Sequence, residues 1–200
     1  MDITSEQRAH IRGAIREKYE KVAAGLPGQF KYPTGPSGLA GLGYDSAWYS
    51  RLPIPVQECF CGVGNPFSMG LPGQGFRVLD VGCGCGVDTL IAANFVGPGG
   101  QAVGVESSPA MLAKAQNNAR SAGIDNVLFL DGDAESLPFE NATFDLVTSS
   151  GVYNLVIDKA KALSEAFRVL KPGGRIQIAD QVLTGPPPLS AEDMVASWFT

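Results

Sequence analysis

The stretch Val78-Leu79-Asp80-Val81-Gly82-Cys83-Gly84-Cys85-Gly86-Val87-Asp88 decides the fold. An apolar run ends in an aspartate and passes straight into three glycines at alternate positions, as where a strand opens onto a ligand-binding loop. Glycine admits φ > 0 and lets backbone N–H groups approach a ligand closely, which a β-branched residue would prevent. The spacing also selects among nucleotide loops. A dinucleotide fold wants G-x-G-x-x-G, but counting from Gly82 and Gly84 puts Val87 at the third glycine position, and counting from Gly84 and Gly86 puts Thr89 there. Neither register fits, so a pyrophosphate-binding dehydrogenase loop is disfavoured, and a nucleotide-dependent oxidoreductase ranks as a distant alternative.

Outward from this loop the chain alternates strand and helix. Residues 76–81 read as the first strand and 88–96 as the helix that follows the loop. Residues 102–105 form a second strand closed by Glu106. Ser108-Pro109 then reads as an N-cap with proline at the first helical position, starting a helix through Met111 to about residue 120. Strands follow at 127–130, 144–148 and 175–179, with a helix at 158–170 that ends at Lys171-Pro172-Gly173-Gly174. Strands separated by helical crossovers imply a parallel sheet covered on both faces, with the ligand outside the carboxyl ends at the switch point beside the first strand. Upstream, residues 6–24 have the apolar spacing of an amphipathic helix. Residues 25–75 turn to Gly, Pro and aromatics without sustained periodicity, the texture of a binding segment or lid. Two parts are expected within one compact unit: residues 1–75 as helix and lid or substrate segment, and 76–200 as the cofactor domain.

Composition narrows the function classes. With 200 residues, 44% hydrophobic and 18% charged, the chain can bury one sizeable core. A formal charge of −5, a pI near 4.9 and no basic block argue against nucleic acid and anionic membrane as partners. The polar start and the lack of any run near ~18 apolar residues lead to the expectation of a soluble, cytoplasmic protein. Cys59-x-Cys61 and Cys83-x-Cys85 suit neither a zinc knuckle nor an evident disulfide framework, and read as reduced thiols. His10 is the single histidine, so neither a histidine triad nor a multi-histidine metal site is expected.

Three features fall at the predicted carboxyl ends, each suited to one part of a nucleoside cofactor. Gly82, Gly84 and Gly86 present backbone to an amino-acid moiety, with Asp80 placed to accept from its ammonium directly or through water. Glu106 accepts from ribose hydroxyls. At Asp131-Gly132-Asp133-Ala134-Glu135, the Asp133 carboxylate accepts from an exocyclic amine while the Ala134 N–H donates to a ring nitrogen. Each has a plainer reading: Asp80 as a helix cap, Glu106 as a solvated strand end, Asp133 as a turn residue. Cys83 and Cys85 sit where small residues are needed for packing. Cys59 and Cys61, two apart on an extended segment, would face the same way and converge on a soft acceptor, or form a buried pair of small apolar side chains.

At this point the sequence resembles the class I S-adenosylmethionine-dependent methyltransferases, and within them the arsenite methyltransferase-like branch. The resemblance runs from about residue 60 to 180, and more loosely from about residue 14. It rests on Gly62-Val63-Gly64-Asn65-Pro66, the glycine loop through Asp88, Ser108-Pro109-Ala110-Met111-Leu112, Ala134-Glu135-Ser136-Leu137-Pro138, Asn154-Leu155-Val156-Ile157-Asp158-Lys159 and Arg168-Val169-Leu170-Lys171-Pro172-Gly173-Gly174. The glycine loop and the last run mark a broad superfamily; the Gly-Asn-Pro and Asn-Leu-x-x-Asp-Lys pieces narrow it. The resemblance implies a doubly wound α/β, Rossmann-like, mostly parallel sheet that binds S-adenosylmethionine and passes its methyl to a small acceptor, by in-line attack on the sulfonium methyl. Cofactor contacts implied are Asp80, Gly82, Cys83, Gly84, Gly86, Asp88, Glu106, Ser107, Met111, Asp133, Ala134, Glu135 and Ser149. The acceptor is placed near Cys59, Cys61, Asn65, Gly151, Tyr153 and Asn154, with Phe60, Phe67, Tyr44 and Tyr153 as dry walls.

Two departures bear on the acceptor. Arsenite methyltransferases resemble one another in a Ser-Asn-Cys-Val-x-Asn-Leu run where this chain reads Ser149-Ser150-Gly151-Val152-Tyr153-Asn154-Leu155, so Gly151 replaces a thiol. They also carry a further cysteine and a final strand pair beyond the fifth strand, whereas this sequence ends at Trp198-Phe199-Thr200. The fifth strand is then expected as an exposed parallel edge, covered by residues 181–200 or by a second copy in a homodimer. A truncated chain, an edge-paired dimer and a degenerate relative all fit. The rival reading is a non-catalytic cofactor-binding module that has lost its acceptor site.

Overall fold

A computed structural model describes residues 3–182 together with 184 and 185. Five parallel strands stand in the order β3-β2-β1-β4-β5: β1 (Arg77–Val81), β2 (Gln101–Glu106), β3 (Val127–Asp131), β4 (Phe144–Ser150) and β5 (Leu170–Ala179). The chain runs outward from β1 to β3, then returns to β4 on the other side, so the strand order reverses between β1 and β4. This is the doubly wound arrangement expected, with its switch point beside the glycine loop. Strand boundaries agree with the sequence reading within a residue or two, except that β5 begins at Leu170, directly after a helix α7 (Lys159–Val169). A register shift opposite Phe144 and Leu146 accommodates Lys171 to Gly174, and Gly173 takes φ +80°.

Alternation along β1 sorts the core into two layers. Val78 joins Leu90, Ile91, Phe129 and Leu146 on one face, while Leu79 and Val81 join Val103, Val147 and Ala166 on the other. Asp80 shares the first face with Val78. The helix after the loop, α5 (Val87–Val96), is buried nearly all round, because the sheet covers one side and the upstream segment covers the other. Between β2 and β3 lies α6 (Pro109–Ala122), capped by Ser108, whose hydroxyl accepts from the Met111 N–H at 3.4 Å. Its amphipathic partner is α1 (Ser5–Ala23), which opens with a Thr4/Gln7 capping box.

Residues 25–75 are more regular than their texture suggests. They contain α2 (Gly35–Gly41), α3 (Ser46–Tyr49), α4 (Ile54–Gln57) and a 3₁₀ turn at Pro66–Met69. These elements are too short to show periodicity. Their local signals are caps and prolines: Asp45 accepts from the Ala47 N–H at 2.9 Å, and proline stands in the first two positions of α2, α4 and the 3₁₀ turn. Tyr44, Trp48, Phe67 and Phe95 pack edge to face, fastening the segment onto α5. Among the described residues no helix is long and apolar enough to cross a membrane. Most of the residues expected to cover β5, 183 and 186–200, lie outside the described residues.

Candidate functional site

The carboxyl ends of β1, β2 and β4 open onto a cavity of about 300 Å³. Its floor is the glycine loop. Gly82, Gly84 and Gly86 all have positive φ, at +69°, +55° and +84°, and the loop is pinned to β2 by the Gly82 and Cys83 N–H groups, which donate to the Val105 carbonyl at 2.8 and 3.0 Å. The Glu106 carboxylate accepts from the Gly84 N–H at 2.9 Å through one oxygen and from the Ser108 N–H at 2.8 Å through the other. With about four acceptor positions on a carboxylate, Glu106 keeps capacity for ligand hydroxyls.

Three carboxylates line this floor. Asp80 is 3% exposed and accepts from the Thr89 hydroxyl at 2.7 Å and the Thr148 hydroxyl at 3.3 Å. Burial pushes its carboxyl up to about 6 against those two donors. Asp88 accepts from the Tyr44 hydroxyl at 2.9 Å, and burial followed by the neighbouring Asp80 charge raises it well above the usual carboxylate range. Glu106 is raised by burial, opposed by its N–H donors. Among the described residues no ion pair reaches any of the three.

The far wall is Gly132 to Glu135. Asp133 accepts from the Glu135 N–H at 2.8 Å, and Arg12 of α1 reaches both Asp133 (3.4 Å) and Glu135 (3.3 Å). Glu135 also accepts from the Asp158 N–H at 3.1 Å. Ile15, Arg16 and Tyr19 of α1 join Arg12 over the cavity, so the N-terminal helix forms its roof. The sequence reading does not include this roof. Its arginines lie on an ordinary amphipathic helix, and only tertiary packing turns them inward.

The cavity gathers Asp80, Gly82, Cys83, Gly84, Asp88, Glu106, Ser107, Asp133, Ala134 and Glu135 from the cofactor set, and Cys61 and Gly151 from the acceptor set. The remaining candidates stand elsewhere. Gly86 is the N-cap of α5, against Phe129 and Ala115. Met111 is buried in the core. Ser149 is fully buried and donates to the Val81 carbonyl at 2.9 Å. Asn65 caps the 3₁₀ turn, accepting from the Phe67 N–H at 3.0 Å and donating to the Gly43 carbonyl at 3.1 Å. Tyr153 packs into the second core layer and Asn154 donates its N–H to Asp180 at 3.0 Å; the Tyr153 hydroxyl and the Asn154 side-chain oxygen are buried without a partner among the described residues. Among the expected dry walls, Phe60 lines the cavity while Tyr44 and Phe67 sit in the core behind it.

Cys59 and Cys61 differ in what they reach. Cys61 lines both the main cavity and a second cavity of about 250 Å³, and burial pushes its thiol up to about 12. Cys59 lines the second cavity and not the main one. The chain leaves α4 in a bend rather than in the extended form that would align alternate residues, and only Cys61 of the two borders the glycine-loop cavity. Gly151 takes φ +71°, and a Cβ there would stand 3.2 Å from a Val63 methyl.

Similarity to known proteins agrees with this geometry. The model of a methyltransferase domain matches residues 72–199. An arsenite methyltransferase from Halobacterium salinarum is 34% identical over 191 residues, which is 88% of this chain and 49% of that protein. A demethylmenaquinone methyltransferase from Bacillus cytotoxicus is 40% identical over 102 residues, 51% of this chain and 43% of that protein. The crystal structure of an arsenic(III) S-adenosylmethionine methyltransferase from Chlamydomonas reinhardtii superposes with a TM-score of 0.59 at 40% identity, covering 74% of this chain and 50% of that one. The chain thus spans about half the length of the curated relatives it matches. A glycine loop at the switch point of a parallel sheet, an acidic floor and a family match over most of the chain lead to one conclusion: the chain belongs to the methyltransferase-domain family, with the class I, S-adenosylmethionine-dependent fold.

Proposed function

We propose that this chain binds S-adenosylmethionine over the glycine loop and methylates a small, thiophilic acceptor, with trivalent arsenic as the favoured one. The carrying observation is the acidic floor. Asp80, Asp88 and Glu106 are withdrawn from water without an ion pair among the described residues, an arrangement that gains most from a ligand with positive charge. A sulfonium and an ammonium fit that requirement, and the remaining acceptor capacity of Glu106 fits a ribose diol. Asp133 and the Ala134 N–H would hold the adenine edge, with Arg12 steadying Asp133 from the roof. When bound, S-adenosylmethionine supplies a methyl already activated by its positive sulfur, which leaves the protein to align the acceptor and exclude water.

On the acceptor side, Cys61, Gly62, Val63, Gly151 and Val152 line the cavity. The arsenite methyltransferase relative matches 88% of this chain, whereas the quinone methyltransferase relative matches 51%. That longer match favours the soft acceptor, because it extends over the segment that carries Cys61. Gly151 supports the rival reading, a module that binds the cofactor without transferring its methyl.

Titration calorimetry with S-adenosylmethionine tests the first step. The Glu106→Ala variant loses charge-assisted hydrogen bonds worth about 1.5–3 kcal/mol, so its dissociation constant should rise about 10- to 100-fold. Unchanged affinity would sink the assignment of the pocket. Incubation with arsenite tests the second step: wild type is expected to form methylated arsenic, and Cys61→Ser to lose that product while keeping its cofactor affinity. Cofactor binding with no methyl transfer to arsenite or to small thiols would favour the non-catalytic reading.

A further inference from the structure

The two cavities share a wall made of Tyr32, Phe60, Cys61 and Cys85. On the outer side of that wall Cys59, Cys85 and Lys114 come together. The Cys85 thiol donates to the Cys59 carbonyl at 2.7 Å, the Cys59 thiol donates to the Pro55 carbonyl at 3.1 Å, and both side chains line the second cavity. Asn118 of α6 fixes the loop by donating to the Cys85 carbonyl at 2.9 Å. The pair therefore joins two segments 26 residues apart, one ahead of β1 and one inside the glycine loop.

We propose that Cys59 and Cys85 form a redox-active dithiol that takes low-molecular-weight disulfides as its substrate class and closes to an intramolecular disulfide. The Cys59 thiolate attacks one sulfur of the incoming disulfide; that S–S bond breaks and one thiolate leaves. The Cys85 thiol then gives its proton to solvent, attacks the Cys59 sulfur and expels the second thiolate. The two cysteines lose two electrons, and the small disulfide is reduced to two thiols.

The four cysteines differ in the way this chemistry requires. The hydrogen bond from Cys85, and then the Lys114 ammonium, draw the Cys59 thiol down to about 6, against a burial effect in the opposite direction. Burial holds the Cys61 and Cys83 thiols up. Cys59 and Cys61 are both half-buried and both open onto the second cavity, but only Cys59 receives the Cys85 thiol at its backbone and has its own thiol drawn down, so Cys59 is the entry point. Cys85 is buried beside it and is placed to resolve the mixed disulfide. The proposal does not rest on methyl transfer, although Cys85 also borders the main cavity.

The test uses the full reduced chain treated with hydroxyethyl disulfide, then alkylated and digested with trypsin without reduction. Residues 52–77 carry Cys59 and Cys61, and residues 78–114 carry Cys83 and Cys85, so the expected bond joins two different tryptic peptides. Fragmentation of that crosslinked species in wild type should assign it to Cys59 and Cys85, without relying on any variant. The crosslink is expected to survive Cys83→Ser and to vanish in Cys59→Ser, and closing a loop of this size should raise the melting temperature by about 5–10 °C. Limiting iodoacetamide at pH 6.5 should label Cys59 first. A bond confined to residues 52–77, a stable mixed disulfide on Cys59, a crosslink through Cys61 or Cys83, or first labelling at another cysteine would each overturn the proposal.

Discussion

Replacing Asp80 by Asn is expected to make the cofactor-free protein more stable at pH 7, by about 1–3 kcal/mol, and to weaken cofactor binding. In the unfolded chain this carboxyl titrates near ~3.9, whereas burial in the fold raises it to about 6. Below both values it is protonated in either state and burial carries no charge penalty. As pH rises from about 4 to about 6 the unfolded chain gives up the proton first, so stability falls across that window and the loss is complete above it. Asn carries no such penalty, and the Thr89 and Thr148 hydroxyls can rotate to serve its amide. Urea denaturation at pH 4, 5, 6 and 7 reads the effect: the curves should coincide at the acid end and diverge in favour of the Asp80→Asn variant toward neutrality. A wild type that gains on the variant as pH rises would show that Asp80 is charged at little cost. The same substitution removes an acceptor for a cationic ligand, so stability is gained where function is lost.

The second large effect is expected at Gly82. A Cβ there would lie 2.3 Å from one Val152 methyl and 2.9 Å from the other, on a backbone with φ +69°. Val152 is β-branched and cannot turn both methyls away. The left-handed backbone costs about 1–2 kcal/mol and the overpacking about 1–3 more, so Gly82→Ala should lower the melting temperature by about 5–15 °C. Gly84→Ala is the matched comparison. It has a similar backbone, with φ +55°, but its Cβ would meet only the terminal methyl of Met111 at 3.3 Å, the movable end of a flexible side chain. Its loss should be nearer ~1 kcal/mol. Equal losses in scanning calorimetry would show that crowding against Val152 does not set the requirement for glycine.

Much of this was legible because local signals and tertiary roles coincide. The β1 run and its glycines and the Ser108-Pro109 cap each act over a few residues and appear in the fold where their chemistry predicts, while the helix expected to stop at Lys171-Pro172-Gly173-Gly174 ends after Val169 and those four residues enter β5. What escaped depends on distant parts of the chain. Thr89 and Thr148 hold Asp80 from a helix and a neighbouring strand, and nothing in their own surroundings announces it. Arg12 turns toward Asp133 and Glu135 only because α1 lies across the cavity. Pairing Cys59 with Cys61 assumed an extended backbone. The bend after α4 leaves only Cys61 on the glycine-loop cavity and gives Cys59 a partner 26 residues away. Short helices at 35–57 were hidden for a simpler reason, since four to seven residues do not complete two turns.

The close approach of Gly151 to Val63 also constrains what can be built at the site. A thiol at position 151 needs a Cβ that this backbone, at φ +71°, resists and that Val63 crowds at 3.2 Å. A single Gly151→Cys change therefore gives a strained protein, while shortening Val63 first makes room for the new Cβ. The two positions are coupled, so a thiol can be installed here with less strain as the second of two changes than as the first.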